Sequence, residues 1–565
     1  MTESPWFAHY DSGVPQSIDY ARVTAPDMLR ATAKEFGDRP ALNFLNCTLT
    51  YTELEEQVAR FAGALAELGV QKGTRVAIQL PNMPQAVVAF FAALSLGGEV
   101  VMTNPLYTLR EIEHQWRDAG AEVAIVADFL WDQTLRANRS KLAPREYIIA
   151  SIPEYLRFPL NLLAPLKLKK QDPPRFAKVA PEQGVHFFKA LVAKAKPWRG
   201  DVPAGFEDLA VLQYTGGTTG PSKGAMLTHG NLSCNVQQID SWFTGCERGR
   251  EVLLTALPLF HVFGLSVCMN WGIFCGSKLV LVPNPRDTKA LVKAVVSNRV
   301  TLFPAVPALF NSLNNFPKIE SVDVSCVKAC FSGSAPIPID VLERFERLTG
   351  SVIVEGFGMS ETAPVALVNP LGGGRRLGSV GIPVPDTQMK VVDPEDDTKE
   401  MPQGEAGELL IRGPQVMQGY WQQPGATAEA LNGGWMHTGD LATSDADGFV
   451  SIVGRKKDMI NVNGMKVYPD EVDEVLMSHE GILEAATIGI PNDKVGETVK
   501  SFVVMQPGAT ISAEDVLAHC RENLTNYKVP RFVEFLDELP KSSVLKILRR
   551  ELRDRELQGG NSAAG

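Results

Sequence analysis

From Thr52 to Leu68 apolar side chains return every three or four residues, at Leu54, Val58, Phe61, Leu65 and Leu68. That spacing gathers them on one face of a helix. Thr52 and Glu55 spell a T-x-x-E capping box at its start, and Gly69 supplies a stop. A strand-like run at Arg75–Leu80 then leads into an unbroken apolar stretch from Ala86 to Leu96, followed by a second strand-like run at Glu99–Thr103. The apolar stretch is shorter than the ~20 residues a membrane span needs, so it reads as a buried helix. Strand and helix patterns alternate again through Glu122–Ala127 and beyond Glu251, which predicts layered α/β structure. After Arg455 the texture changes. Pro469 opens a helix with Val472, Val475 and Leu476 on one face, and strands are expected near Ala485–Ile490 and Ser501–Met505. Ser512 and Asp515 cap a further helix to Asn523. The expected fold is a large N-terminal α/β domain, residues 1–455, and a small C-terminal α+β domain, 456–565, ending in a polar, frayed tail from Gln558.

Composition narrows the function. The 565 residues suffice for more than one domain, and a net charge of −10 lacks the basic footprint of a nucleic-acid binder. The eight cysteines contain no CxxC, and no histidine lies near Cys326 and Cys330, so free thiols in a reducing compartment are expected rather than a zinc site. The N-terminus has no basic region leading into an apolar one, which points to a cytoplasmic protein. One segment departs from the rest. Residues 151–199 hold ten basic and three acidic residues, a local balance of +7, with leucines and Phe158 between them. Two readings stand here: a membrane-surface patch on the inner face of a bilayer, or a solvated excursion broken by prolines.

The densest chemistry lies in Tyr214-Thr-Gly-Gly-Thr-Thr-Gly-Pro-Ser-Lys-Gly224. Glycines let backbone N–H groups wrap a polyanion, hydroxyls add short donors, and Lys223 adds charge. The run Leu209–Gln213 is expected to be a strand feeding this loop. It is no P-loop, because Lys223 follows Ser222 and precedes Gly224. A mere linker would not need three threonines and a lysine in this order.

The stretch resembles the phosphate-binding loop of the adenylate-forming enzymes, the superfamily of acyl-CoA synthetases, luciferases and peptide-synthetase adenylation domains. Further motifs follow in the family's order: Leu257-Pro-Leu-Phe-His-Val-Phe-Gly264, Ser332-Gly-Ser-Ala-Pro336, Glu355-Gly-Phe-Gly-Met-Ser-Glu-Thr362, Gly419-Tyr-Trp421, His437-Thr-Gly-Asp440, Gly454-Arg-Lys-Lys-Asp458 and Pro540-Lys-Ser-Ser-Val-Leu-Lys546. Asn104-Pro-Leu-Tyr-Thr-Leu-Arg-Glu111, Leu212-Gln-Tyr214 and Gly413-Pro-Gln-Val-Met417 are similar to bacterial long-chain fatty acid–CoA ligases in particular.

The resemblance implies a reaction in two halves: a fatty acid and ATP give acyl-AMP and pyrophosphate, then coenzyme A takes the acyl group and AMP leaves. The alternative within the superfamily is another acid, medium-chain or aryl, or a carrier-protein acceptor. A non-catalytic binder that kept the fold is the rival from another class. By resemblance Lys546 is catalytic in adenylation. ATP and AMP are contacted by Thr215, Gly216, Gly217, Thr218, Thr219, Gly220, Lys223, Gly333, Ser334, Ala335, Glu355, Gly356, Phe357, Gly358, Ser360, Asp440, Arg455 and Lys457. Magnesium falls to Glu361 and Thr215, the acid to His261, Ala305 and Gly333, and the coenzyme A channel to Gly464. Lys457 marks a hinge about which the small domain turns between the two steps, and homodimers are common in the family. The family usually has glycine before the catalytic lysine; this chain has Leu545.

Overall fold

The computed structural model describes residues 4–215, 222–462, 465–492, 496–542 and 547–560. The first predicted helix begins earlier than Thr52, as Tyr51–Glu67. Thr50-x-x-Glu53 repeats the capping signature two residues upstream, and it is the one used. Glu53 N–H donates to Thr50 Oγ1 at 3.2 Å, and Thr50 N–H donates to Glu53 Oε2 at 2.8 Å. The strand Cys47–Thr50 leaves Thr50 extended, as an N-cap must be, and the buried Tyr51 hydroxyl donates to Ser277 O at 2.7 Å. The apolar stretch is the helix Pro84–Ser95, buried at every residue and packed on the helices Ala25–Phe36 and Tyr51–Glu67.

Two large sheets carry the N-terminal part. One runs in the order Val185–Phe187, Glu146–Ala150, Val123–Ala127, Arg75–Gln79, Glu99–Met102, Leu209–Thr215 and Lys223–Thr228, parallel except for the last hairpin. Both of its faces are covered: Val76 and Ile78 enter one apolar cluster, and Ala77 between them enters the other. That is why its strands read as unbroken apolar runs rather than as alternating ones. The second sheet has nine strands. Its parallel neighbours Leu302–Ala305, Ala329–Ser332 and Val352–Gly358 bear on the site, and at its far side Pro40–Phe44 pairs with Lys278–Leu281. A four-stranded antiparallel sheet covers Gln388–Val392, Gly407–Arg412, Met436–Ser444 and Val450–Arg455.

The C-terminal part has its own sheet and its own apolar clusters. Its strands Ile482–Asn492 and Gly496–Met505 extend beyond the sequence expectation, while the Ser512 cap and the helix Ala513–Asn523 match it. In the helix Pro469–Met477, Val472 and Leu476 face inward, but Val475 is only half-buried and Asp473 takes a buried place. The Asp473 carboxylate is held there by Arg549 at 2.5 Å, a pairing that hydrophobic periodicity cannot report. The eight cysteines are free thiols, buried or half-buried. Among the described residues no helix is long and apolar enough to cross a membrane.

His229 opens the helix His229–Trp242 just after the strand Lys223–Thr228 and is buried, with neither ring nitrogen hydrogen-bonded among the described residues. Burial holds its pKa down to about 4. An unfolded chain takes up this proton near pH ~6.5. The depressed value therefore contributes stability that is present above pH ~6.5 and lost as the pH falls toward ~4, up to about 3 kcal/mol. His229→Gln is expected to flatten the decline of Tm between these limits, and melting curves of both proteins across that range check it.

Candidate active site

The phosphate-loop hairpin is placed from behind. Thr215 ends one strand, opposite Lys223 at the start of the next; Gly216, Gly217, Thr218, Thr219 and Gly220 lie outside the described residues. Gln213 donates through Nε2 to Phe260 O at 3.0 Å, and the Tyr214 hydroxyl donates to Asp118 Oδ2 at 2.5 Å. The first of these bonds ties the loop's strand to the Leu257–Gly264 segment. There Nδ1 of the half-buried His261 accepts from Phe263 N–H at 3.3 Å. Phe263 reaches the turn after Ser332: a β-carbon on Gly333 would lie 3.2 Å from its ring.

The ends of two parallel strands and the last parallel-paired residue of a third line up beside this contact. Ala305, Ser332 and Glu355 are register partners across the nine-stranded sheet. In parallel α/β sheets the carboxyl ends of strands are where ligands bind. Gly333 is buried, while Ser334 and Ala335 are exposed, and Ser334 holds a left-handed φ of 73°. Glu355 Oε1 accepts from Ile337 N–H at 3.1 Å, so this carboxyl closes the turn that carries Gly333 to Ala335. Burial pushes its pKa up to about 7, the Ile337 bond opposing. Gly358 must be glycine, since a β-carbon there would stand 2.0 Å from Pro364 O. This close approach folds Val352–Gly358 back on Val365–Val368, with Phe357 opposite Leu367. Ser360 opens the short turn that follows and carries Glu361.

Glu361 is buried, and its Oε1 accepts from the Tyr420 hydroxyl at 2.7 Å. Burial raises its pKa, while the Tyr420 bond and the nearby Arg455 charge oppose the rise. Among the described residues no lysine, arginine or histidine stands within ion-pair distance of it. A buried carboxylate is costly without a cation, and an oxygen donor beside a phosphate loop fits a hard divalent ion such as magnesium. The half-buried Thr215 would supply a second oxygen. Across the next sheet Asp440 and Arg455 are register partners, with Asp440 Oδ1 2.6 Å from Arg455 Nε. Burial and the Arg455 charge lower the pKa of Lys457.

Two residues without a role in the sequence reading stand out. Tyr420, read only as part of a motif, holds Glu361. Glu408 is buried beside His437–Asp440 of the strand Met436–Ser444, accepting from Gly439 N–H at 3.2 Å and pairing with Lys456 at 2.9 Å. Nothing local in Gly407–Arg412 signals it, because its partners arrive from 30 to 50 residues away. Gly464, Leu545 and Lys546 lie outside the described residues.

Comparison with known proteins agrees with this geometry. A family profile described as AMP-binding enzyme matches residues 29–421, and one described as AMP-binding enzyme C-terminal domain matches residues 471–546. This chain therefore belongs to the AMP-binding, adenylate-forming enzymes. Two relatives bear the name long-chain-fatty-acid–CoA ligase. The Bacillus subtilis protein is 39% identical over 99% of both chains. The Escherichia coli protein is 42% identical over 97% of this chain and 98% of its own. Among solved structures, an anthranilate CoA ligase in complex with anthranoyl-AMP superposes with a TM-score of 0.85 at 26% identity, covering 96% of this chain and 98% of that one. ATP-bound MatB from Rhodopseudomonas palustris gives 0.82 at 29% identity, with coverage of 94% and 99%.

Proposed function

We propose that this protein is an AMP-forming ligase that joins a long-chain fatty acid to coenzyme A. The observation that carries the reading is Glu361: a buried carboxylate lacking an ion-pair partner among the described residues, set beside the phosphate-loop hairpin and the Asp440–Arg455 pair. The two long-chain ligases similar along nearly the whole chain support the choice of acid.

A carboxylate does not acylate a thiol, because oxide is a hopeless leaving group. In the first half-reaction a carboxylate oxygen of the acid attacks the α-phosphorus of ATP, and the bond to pyrophosphate breaks. The product is a mixed anhydride with AMP. In the second half-reaction the coenzyme A sulfur attacks the acyl carbon, AMP leaves with the bonding pair, and the thiol proton passes to solvent. The chain's work is to neutralise phosphate charge and align the reacting atoms. Lys223 and the hydroxyls of the loop take the phosphates, Asp440 accepts from the ribose hydroxyls, and Arg455 both orients Asp440 and adds positive charge. Magnesium, when bound by Glu361 and Thr215, neutralises phosphate charge. His261, Ala305 and Gly333 position the acid. Lys546 bridges the carboxylate and the α-phosphate. A small domain from residue 456 turns about Lys457 between the halves and presents Gly464 to the pantetheine arm. Release of pyrophosphate and AMP over a panel of acids, from short to long chains plus an aryl acid, tests the reading. Long-chain acids should give the highest kcat/KM with free coenzyme A, and absence of long-chain turnover refutes the substrate.

Residues 151–199 favour a membrane-surface role over a solvated excursion. The helix Leu160–Lys169 buries none of its residues and turns Leu162, Leu163 and Leu166 to solvent, with Phe158 77% exposed just before it. Leu45, also exposed, is next in the chain to Asn46, which exchanges two hydrogen bonds with the Arg157 backbone. Lys167, Lys169 and Lys170 rim the patch, an arrangement suited to an anionic bilayer. The double variant Leu162→Asp, Leu166→Asp is expected to lose cosedimentation with phosphatidylglycerol vesicles and to keep its turnover of dispersed acid. Unchanged cosedimentation would return the segment to the solvated reading.

A further inference from the structure

We propose that Tyr420 is a positioning residue for the nucleotide step, with separate duties for its hydroxyl and its ring. The hydroxyl fixes Glu361 toward the divalent cation, and the ring face seats the Lys223 ammonium for phosphate. Three observations carry this. The Tyr420 hydroxyl donates to Glu361 Oε1 at 2.7 Å, which occupies one carboxylate oxygen and fixes the direction of the other. Lys223 Nζ lies 5.1 Å from the centroid of the same ring, within reach of its negative face. Tyr420 itself is held on every side. Its N–H donates to Thr427 Oγ1 at 2.8 Å, and its neighbours zip onto the strand that leaves the phosphate loop, Met226 N–H to Gly419 O at 2.9 Å and Trp421 N–H to Gly224 O at 2.8 Å. Trp421 is pinned in turn, its Nε1 donating to Asp118 O at 3.0 Å and its ring lying 4.3 Å from the Arg75 guanidinium. The run 417–421 also grips the other end of Glu361, since Met417 N–H donates to Glu361 O at 2.8 Å.

One side chain thus stands between the carboxylate assigned to the cation and the lysine assigned to phosphate. It sets the distance between them before any nucleotide arrives. Outer partners of this kind orient the groups that bind a metal, and their loss weakens metal affinity without dismantling the site. The inference rests on the cation and phosphate roles proposed above for Glu361 and Lys223.

The two duties separate by substitution. Tyr420→Phe keeps the ring and its packing and removes the hydroxyl, whereas Tyr420→Leu removes both. The readouts are ATP affinity by calorimetry in EDTA, ATP affinity with Mg2+, and binding of Mn2+ to the protein–ATP complex by electron paramagnetic resonance. Glu361→Gln and Lys223→Ala serve as references. Y420F is expected to bind ATP normally in EDTA and to lose on the order of 10-fold in Mn2+ affinity. Y420L is expected to lose affinity in EDTA as well. Y420F with unchanged Mn2+ affinity, or with an EDTA affinity as weak as that of Y420L, overturns the inference. Phenylalanine fills the same space, so the Y420F arm decides the hydroxyl's duty even if Y420L does not fold. An E361Q protein with normal Mn2+ affinity would instead overturn the cation role of Glu361 and this inference with it. A weakened E361Q beside a silent Y420F would sink the Tyr420 inference alone.

Discussion

Glu361→Gln is expected to slow acyl-adenylate formation by on the order of 10²- to 10³-fold and to raise the Mg2+ concentration needed for half-maximal rate, while leaving the fold intact. Glutamine has the size of glutamate, and its amide oxygen still accepts from the Tyr420 hydroxyl, so the 2.7 Å contact survives. What disappears is the negative charge. In the free protein that charge is a burden, since burial raises the pKa of Glu361 and among the described residues no ion-pair partner relieves it. Tm should therefore hold or rise in E361Q while activity falls, and this opposition of signs separates a lost cation site from a damaged core. The measurements are a Mg2+ titration of pyrophosphate release and a melting curve without nucleotide. A variant that melted early and lost rate at all Mg2+ concentrations alike would mean that Glu361 is a structural carboxylate.

Lys546→Ala is expected to be as severe but confined to one half of the reaction. Removing the ammonium proposed to bridge carboxylate and α-phosphate should cost roughly 10³-fold in adenylation, the scale found when a donor aimed at developing charge is deleted. Transfer from preformed acyl-AMP to coenzyme A needs no such bridge and should proceed within about threefold of the parent, a change small beside the adenylation loss. Supplying synthetic acyl-adenylate with coenzyme A to K546A and to the parent measures this directly. Equal loss in both halves would mean that Lys546 is not specific to adenylation. Leu545 adds a second arm: if its β-carbon hinders the loop, Leu545→Gly speeds adenylation and leaves transfer unchanged.

The parts legible in the sequence share a physical cause. Layering and burial could be read because apolar runs such as Ala86–Leu96 and Arg75–Leu80 report their own surroundings. Helix starts were legible in kind but not always in place. The chain spells the capping signature at both Thr50 and Thr52, and only the strand that ends at Thr50 chooses between them. The motifs named Glu361, Asp440 and Arg455, and the structure places these three within electrostatic reach of one another. Glu408 and Asp473 were not legible, because a buried carboxylate is marked by a partner brought from elsewhere, here Lys456 and Arg549. Tyr420 lay between: its motif was visible, but its duty depends on two side chains about 60 and 200 residues away along the chain.

The pairing of Pro40–Phe44 with Lys278–Leu281 has a consequence for how the protein is made. Leu42 meets Leu279, so the partner of this strand leaves the ribosome only after more than two hundred further residues have been added. At roughly 5–20 residues per second that is on the order of 10 to 50 seconds. Until then the hairpin of Pro40–Phe44 and Cys47–Thr50 holds one open edge, with Leu42 and Phe44 still to be covered. An open apolar strand edge invites pairing with other chains. Nascent chains of this protein therefore carry an open apolar strand edge through much of their synthesis, and a slower rate of translation would lengthen that exposure rather than relieve it.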